Sequence, residues 1–228
     1  MRAFDNPLDN PIWAALTTRR SEFAEGTGLA RRFHPEVTSL AGFAEASKEA
    51  YASLADLLSD GQPAALFLPT EQNPPPGWRT IDSMPLLQMR LDDSRTIARA
   101  AHVDELKPSD AAEMLALAQL TKPGPFGMRT HEMGNYIGIR REGKIVAIAG
   151  ERLRVEGYTE ISAVCTLPGY LGRGFAAGLI GELVARIRER GETPCLHVRG
   201  ENTRAIELYK RLGFEIRAQM YALVVKRP

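Results

Sequence analysis

Gly169-Tyr170-Leu171-Gly172-Arg173-Gly174-Phe175-Ala176 is the stretch on which the fold of this 228-residue chain turns. Closely spaced glycines, followed at once by an apolar-periodic run, predict a tight loop that opens directly into a helix. Such a loop suits a diphosphate. Glycines let the main chain approach the oxygens with no side chain in the way, and the helix start offers unpaired N–H groups and the positive end of a dipole. The helix is expected from about Gly174 to Arg190, with Phe175, Leu179, Ile180, Leu183, Val184 and Ile187 facing inward and Gly191 as its stop.

Outward from this loop the elements follow in a definite order. Downstream, Pro194–Val198 reads as a short buried strand. Asn202 then caps a helix whose inward face is Ala205, Leu208, Tyr209 and Leu212; Gly213 ends it, and Ile216–Val225 is a last strand. Upstream, Ile97–Leu106 reads as a strand. Pro108-Ser109-Asp110 opens a helix, with Glu113 as the capping-box partner of Asp110. Tyr136–Arg140, Lys144–Arg154 and Thr159–Thr166 form an antiparallel meander around turns at Glu142-Gly143 and Glu156-Gly157. Hairpins beside strand–helix–strand connections predict an α/β fold built on a mixed sheet with helices on its faces.

The glycine loop and the downstream Asn202-Thr203-Arg204-Ala205-Ile206-Glu207-Leu208-Tyr209-Lys210-Arg211-Leu212-Gly213-Phe214 together resemble the acyl-CoA-binding core of the GNAT superfamily of N-acetyltransferases. In that family the loop reads Arg/Gln-x-x-Gly-x-Gly/Ala and the later segment Asn-x-x-Ala-x-x-x-Tyr-x-x-x-Gly-Phe. Here Gly169 stands at the Arg/Gln position, and Leu171 where many members carry an arginine. The backbone cradle does not depend on either side chain. The resemblance covers Ile97 to Lys226. It implies a GNAT-like domain over residues 93–228, acetyl-CoA as co-substrate, and a small-molecule or peptide amine as acceptor.

By the same resemblance, Gly169, Leu171, Gly172, Arg173, Gly174, Phe175, Ala176 and Ala177 would cradle the CoA diphosphate. Val164, Cys165 and Thr166 would meet the pantetheine arm, and Asn202 would reach a CoA or loop group. Tyr209 corresponds to the tyrosine that protonates the departing thiolate. Glu160 lies near where family members place a general base, and His131 and Glu132 could line the acceptor site. Cys165 admits a covalent acyl-enzyme, but a small buried thiol on a strand is the commoner use of such a residue. The four histidines show no metal-ligand spacing and no metal is expected.

Two rival readings start from the same glycines. Gly172-Arg173-Gly174-Phe175-Ala176-Ala177 fits a dinucleotide-binding turn, yet such a fold continues through several more strand–helix units than this chain has left. A purely structural turn leaves Asn202 and Tyr209 unexplained. A non-catalytic acyl-CoA-binding module would keep the cradle without needing Tyr209.

Composition adds bounds. A net charge of +1 with 25% charged residues offers no basic field for nucleic acid, and no apolar run is long enough to span a membrane. Met1–Pro7 lacks a signal-like apolar segment and the two cysteines imply no disulfide framework, so a cytoplasmic protein is expected. Residues 1–92 form an N-terminal region, read as a possible degenerate half-copy that contributes the acceptor site. It is expected to be helical over Ile12–Gly26 and Leu40–Ser59, with strands at Ala64–Leu68 and Met84–Leu91.

Overall fold

The computed structural model describes residues 6–228, so most of the Met1–Pro7 segment lies outside the described residues. In chain order the elements are α1 (Pro11–Thr17), β1 (Ala24–Glu25), β2 (Ala30–Phe33), β3 (Ala41–Phe43), α2 (Lys48–Leu57), β4 (Pro63–Leu68) and β5 (Arg79–Leu91). There follow β6 (Asp104–Glu105), α3 (Ala111–Thr121), β7 (Tyr136–Arg141), β8 (Lys144–Val155), β9 (Tyr158–Thr166), α4 (Phe175–Glu189), β10 (Thr193–Arg199), α5 (Thr203–Leu212) and β11 (Phe214–Lys226). A three-stranded sheet holds β1-β2-β3. The main sheet has eight strands in the order β4-β11-β5-β10-β9-β8-β7-β6. It is mixed, as expected: β9 and β10 run parallel, and the other neighbours are antiparallel.

Residues on both sides of position 92 share that sheet. β5 lies between β10 and β11, pairing Leu86–Arg90 with the former and most of its length with the latter. β4 closes the same edge against β11. One sheet face is covered by α4 and α5. Leu179, Ile180, Leu183 and Ile187 are fully buried there against Ile137, Val146, Ile161 and Leu196. Burying each such side chain stabilises by about 1.5–3 kcal/mol. The opposite face is covered by α1 and α3. α1 buries Ile12 and Leu16 beside Phe33 and Cys195, and α3 buries Met114 and Leu117 against Tyr136 and Cys165. By strand register α2 lies on the α4 side, burying Tyr51 and Leu54 against Leu66, Leu68, Leu223 and Val225 of β4 and β11.

Several expectations need correction. Ile97–Leu106 is a strand only at Asp104–Glu105. Residues 97–102 instead run along α4, where Ala100 N–H donates to the Gly178 carbonyl at 3.2 Å. A Cβ at Gly181 would stand 2.3 Å from the Ala98 oxygen, so the missing side chains of α4 let the segment lie on the helix. Ile12–Gly26 is α-helical only to Thr17, where the Thr17 and Thr18 hydroxyls donate back to the Trp13 and Ala14 carbonyls, and it continues through a 3-10 turn at Ser21–Phe23 into β1. Leu40–Ser59 begins as β3, and its helix starts after Ser47, whose hydroxyl accepts from Ala50 N–H. At α3 the reach-back group is Asp110, which accepts from Lys107 N–H, while Glu113 accepts from Ile145 N–H of β8.

Candidate active site

β9 and β10 pair at Tyr158–Thr193, Thr159–Pro194 and Glu160–Cys195, and no further. β9 nevertheless continues to Thr166 on β8, and β10 to Arg199 on β5. Two parallel strands that separate in mid-sheet leave unpaired main-chain donors and acceptors on both sides of the opening, the groups an extended amide-bearing ligand can use. Ala163 deepens the irregularity. Its φ of +53° is left-handed for a residue with a Cβ, and β8 shifts register opposite. Past this bulge Val164 turns toward the α4 side, while Ala163 and Cys165 face α3.

β9 leads into a one-turn 3-10 segment, Pro168–Tyr170, and then into the glycine loop. Gly172 and Gly174 have φ of +79° and +77°, the left-handed region that glycine occupies at little cost, and a Cβ on either would meet open space. The demand for glycine here is therefore one of backbone conformation. Gly174 caps α4 with no side-chain bond, and Gly169, Leu171, Gly172, Arg173 and Gly174 are exposed. Phe175, Ala176 and Ala177 are half-buried in the first turn, whose N–H groups have no intrahelical partner. Arg173 lies over the Tyr170 ring and Arg141 over Phe175, placing two guanidinium groups beside the loop.

Tyr209 comes up from α5 on the same side. Its ring packs with Leu196, Val198 and Phe214, and lies close enough to Cys165 for that thiol to bear on its acidity. Burial pushes the phenol up to about 12. Asn202 is exposed and spends its side-chain oxygen on Ala205 N–H at 3.1 Å. The Cys165 thiol is raised to about 11 by burial, which makes it a poor nucleophile. Thr166 is half-buried opposite Ala147.

Glu160 is not placed as a general base. Its carboxylate is 1% exposed and accepts a forked pair of bonds from Arg152, at 2.8 and 2.6 Å, and lies 2.8 Å from His197 Nδ1. Burial would raise its pKa, but the Arg152 charge and these bonds outweigh that and hold it well below the usual carboxylate range. Glu132 is likewise engaged by Arg129, whose hydrogen bonds lower its pKa, and His131 lies against the Met128 carbonyl. Among the described residues, no group of three His, Cys, Asp or Glu is arranged to hold a metal, and no helix is long and apolar enough to cross a membrane.

Sequence reasoning missed the polar groups buried on the face opposite α4. From Glu160 the chain of contacts runs through His197 to Gln88, at 3.0 Å, and on to Arg217 and Asp9. Tyr136 adds a fully buried hydroxyl with no hydrogen-bond partner among the described residues. Arg152 and Glu160, eight residues apart across a turn at Glu156-Gly157, were readable as a cross-strand pair. His197 and Gln88 were not, because their strands are more than a hundred positions apart.

One solved structure, a protein assigned to the GNAT acetyltransferase family of Novosphingobium aromaticivorans, is 39% identical and superimposes with a TM-score of 0.90. The alignment covers 98% of this chain and 100% of that one. The chain belongs to the GNAT family. A family model described as FR47-like protein matches residues 136–223, the span from β7 into β11. A GCN5-related N-acetyltransferase of Kribbella flavida shares the fold at 20% identity and TM-score 0.59, covering 95% of this chain and 92% of its own. A GNAT-family acetyltransferase of Colwellia psychrerythraea does so at 12% and 0.54, covering 99% of each. No curated protein matches. Membership of the GNAT family makes acyl transfer the general chemistry of this fold.

Proposed function

We propose that the chain is an acetyl-CoA-dependent N-acetyltransferase that passes the acetyl group directly to a primary amine in a ternary complex. The observation that carries this reading is the parting of β9 from β10 beside the left-handed glycine loop, with Tyr209 buried in the core cluster against which Val164 and Phe175 pack. On this reading the first turn of α4 takes the diphosphate and the freed edges of Val164, Cys165 and Thr166 take the pantetheine amides. The neutral amine attacks the thioester carbonyl and a C–N bond forms. The C–S bond breaks, the amine's extra proton leaves to water, and Tyr209 donates to the sulfur. A phenol near 12 facing a thiol near 8.5 makes complete proton transfer uphill by ~5 kcal/mol, so Tyr209 acts chiefly by a hydrogen bond to the charge as it develops. Two free buried cysteines suit a reducing compartment, and the cytoplasm is the one we propose.

Calorimetry with CoA and a screen of amines with acetyl-CoA, on wild type and Tyr209→Phe, test the reading. CoA should bind both proteins alike, while kcat of the variant falls by roughly 10²–10⁴-fold. Saturable CoA binding with no turnover of any amine would leave a binding module. Acetate trapped on Cys165 would overturn direct transfer.

A further inference from the structure

A cavity of about 330 Å³ opens between the residues preceding α1, the end of β3 with the turn after it, and β4. It lies beside β4, the edge strand of the main sheet. Its walls are mainly apolar and include two aromatic rings, Phe43 and Phe67, with Leu66 and Leu68 beside them. The Phe67 ring also stands 4.9 Å from the ring of His197, which lies two residues past the last β9–β10 pair. One side chain thus touches both the cavity and the mouth of the parted strands.

The charged residues on the walls are both acidic, Asp9 and Glu45. Asp9 is held by Arg217, whose guanidinium also donates to Gln88. Glu45 is exposed and makes no ion pair among the described residues. An apolar chamber with a negative rim attracts a cation on an apolar body and repels an anion.

We propose that this cavity receives the body of the acceptor, a primary amine on an aryl-sized apolar group that carries no carboxylate. The assignment rests on the acyl-transfer reading for its role, and on the cavity alone for its ligand.

The probe pair is 2-phenylethylamine and phenylalanine, which differ by the carboxylate. Calorimetry with the CoA-loaded full chain should give saturable binding of the amine and at least tenfold weaker binding of phenylalanine. Ala44→Trp, which fills the cavity, should weaken the amine at least tenfold and leave the Kd of CoA unchanged. Glu45→Lys, at an exposed position, should narrow the preference for the amine at least threefold and keeps the test open if Ala44→Trp does not fold. Equal binding of the two compounds, or an amine affinity indifferent to both substitutions, overturns the proposal. CoA binding without the amine pattern rejects this cavity and leaves acyl transfer standing. The amine pattern in a chain that binds no CoA rejects acyl transfer and leaves the cavity a ligand site.

Discussion

Replacing Glu160 by Gln removes one half of a pair whose other half, Arg152, stays buried. The guanidinium is then uncompensated in a dry interior, a change that costs about 3–5 kcal/mol. Chemical denaturation should show that loss, while folded Glu160→Gln keeps a kcat within a few-fold of wild type. A kcat lost without destabilisation would restore Glu160 as a base. The same pair sets an acid limit. Because its folded pKa lies below the unfolded value of about 4.3, the pair's stabilisation is present at neutral pH and is lost as pH falls below about 4 toward the folded pKa. Tyr209 bears on the other end of the scale. With its phenol at about 12, it stays protonated throughout the accessible range. Rate should therefore climb with pH as the amine loses its proton, with no descending limb below pH 10 in a kcat/KM profile. A descending limb nearer 8 or 9 would show an essential acid titrating there and overturn the raised phenol as the proton donor's state.

At the scale of elements, the loop before α4 separates geometry from charge. Gly174→Ala meets open space but must adopt a left-handed φ, at a cost of about 1 kcal/mol. Gly174→Asp bears a similar backbone cost, partly offset by a negative charge at a helix N-terminus. Its carboxylate stands where the diphosphate is proposed to sit. Calorimetry should find CoA binding weakened in the alanine variant and abolished in the aspartate variant, with the two melting within a few degrees of each other. Equal CoA affinity in both would place the diphosphate elsewhere.

The elements most readable from sequence carry their own punctuation. The β7–β8 turn falls at Glu142-Gly143, both with positive φ, and α5 runs from a capping Asn202 to a left-handed Gly213. What was illegible depends on partners far along the chain. Residues 97–102 read as part of a strand, yet they lie on α4 because Gly178 and Gly181 leave them room. The candidate site divides the same way. The glycine loop and Tyr209 announced themselves through local spacing, whereas the burial of Glu160 needed Arg152 and His197 brought together by sheet register.

Over the whole molecule, the sheet makes residues before and after position 92 interdependent. Removing residues 1–92 would take β5 from between β10 and β11 and β4 from the edge, leaving β11 with no neighbour. A 93–228 fragment should therefore lack a cooperative melting transition and should not bind CoA. A cooperatively folding fragment that binds CoA would show that the remaining strands can close the gap themselves.

The position of β5 also bears on how the chain is made. Synthesis delivers β4 and β5 early, but the strand that joins them, β11, is made last. At ribosomal speeds of 5–20 residues per second, β4 and β5 wait roughly 6–25 s for Phe214 onward to emerge. Throughout that interval two apolar strand edges are open to whatever else is nascent nearby. Refolding from denaturant begins with the full chain present but must still close a loop spanning most of it, which places it among slow, topologically non-local folders. Yield in a cell is then governed by chaperone capacity and growth temperature before it is governed by the stability of the finished sheet.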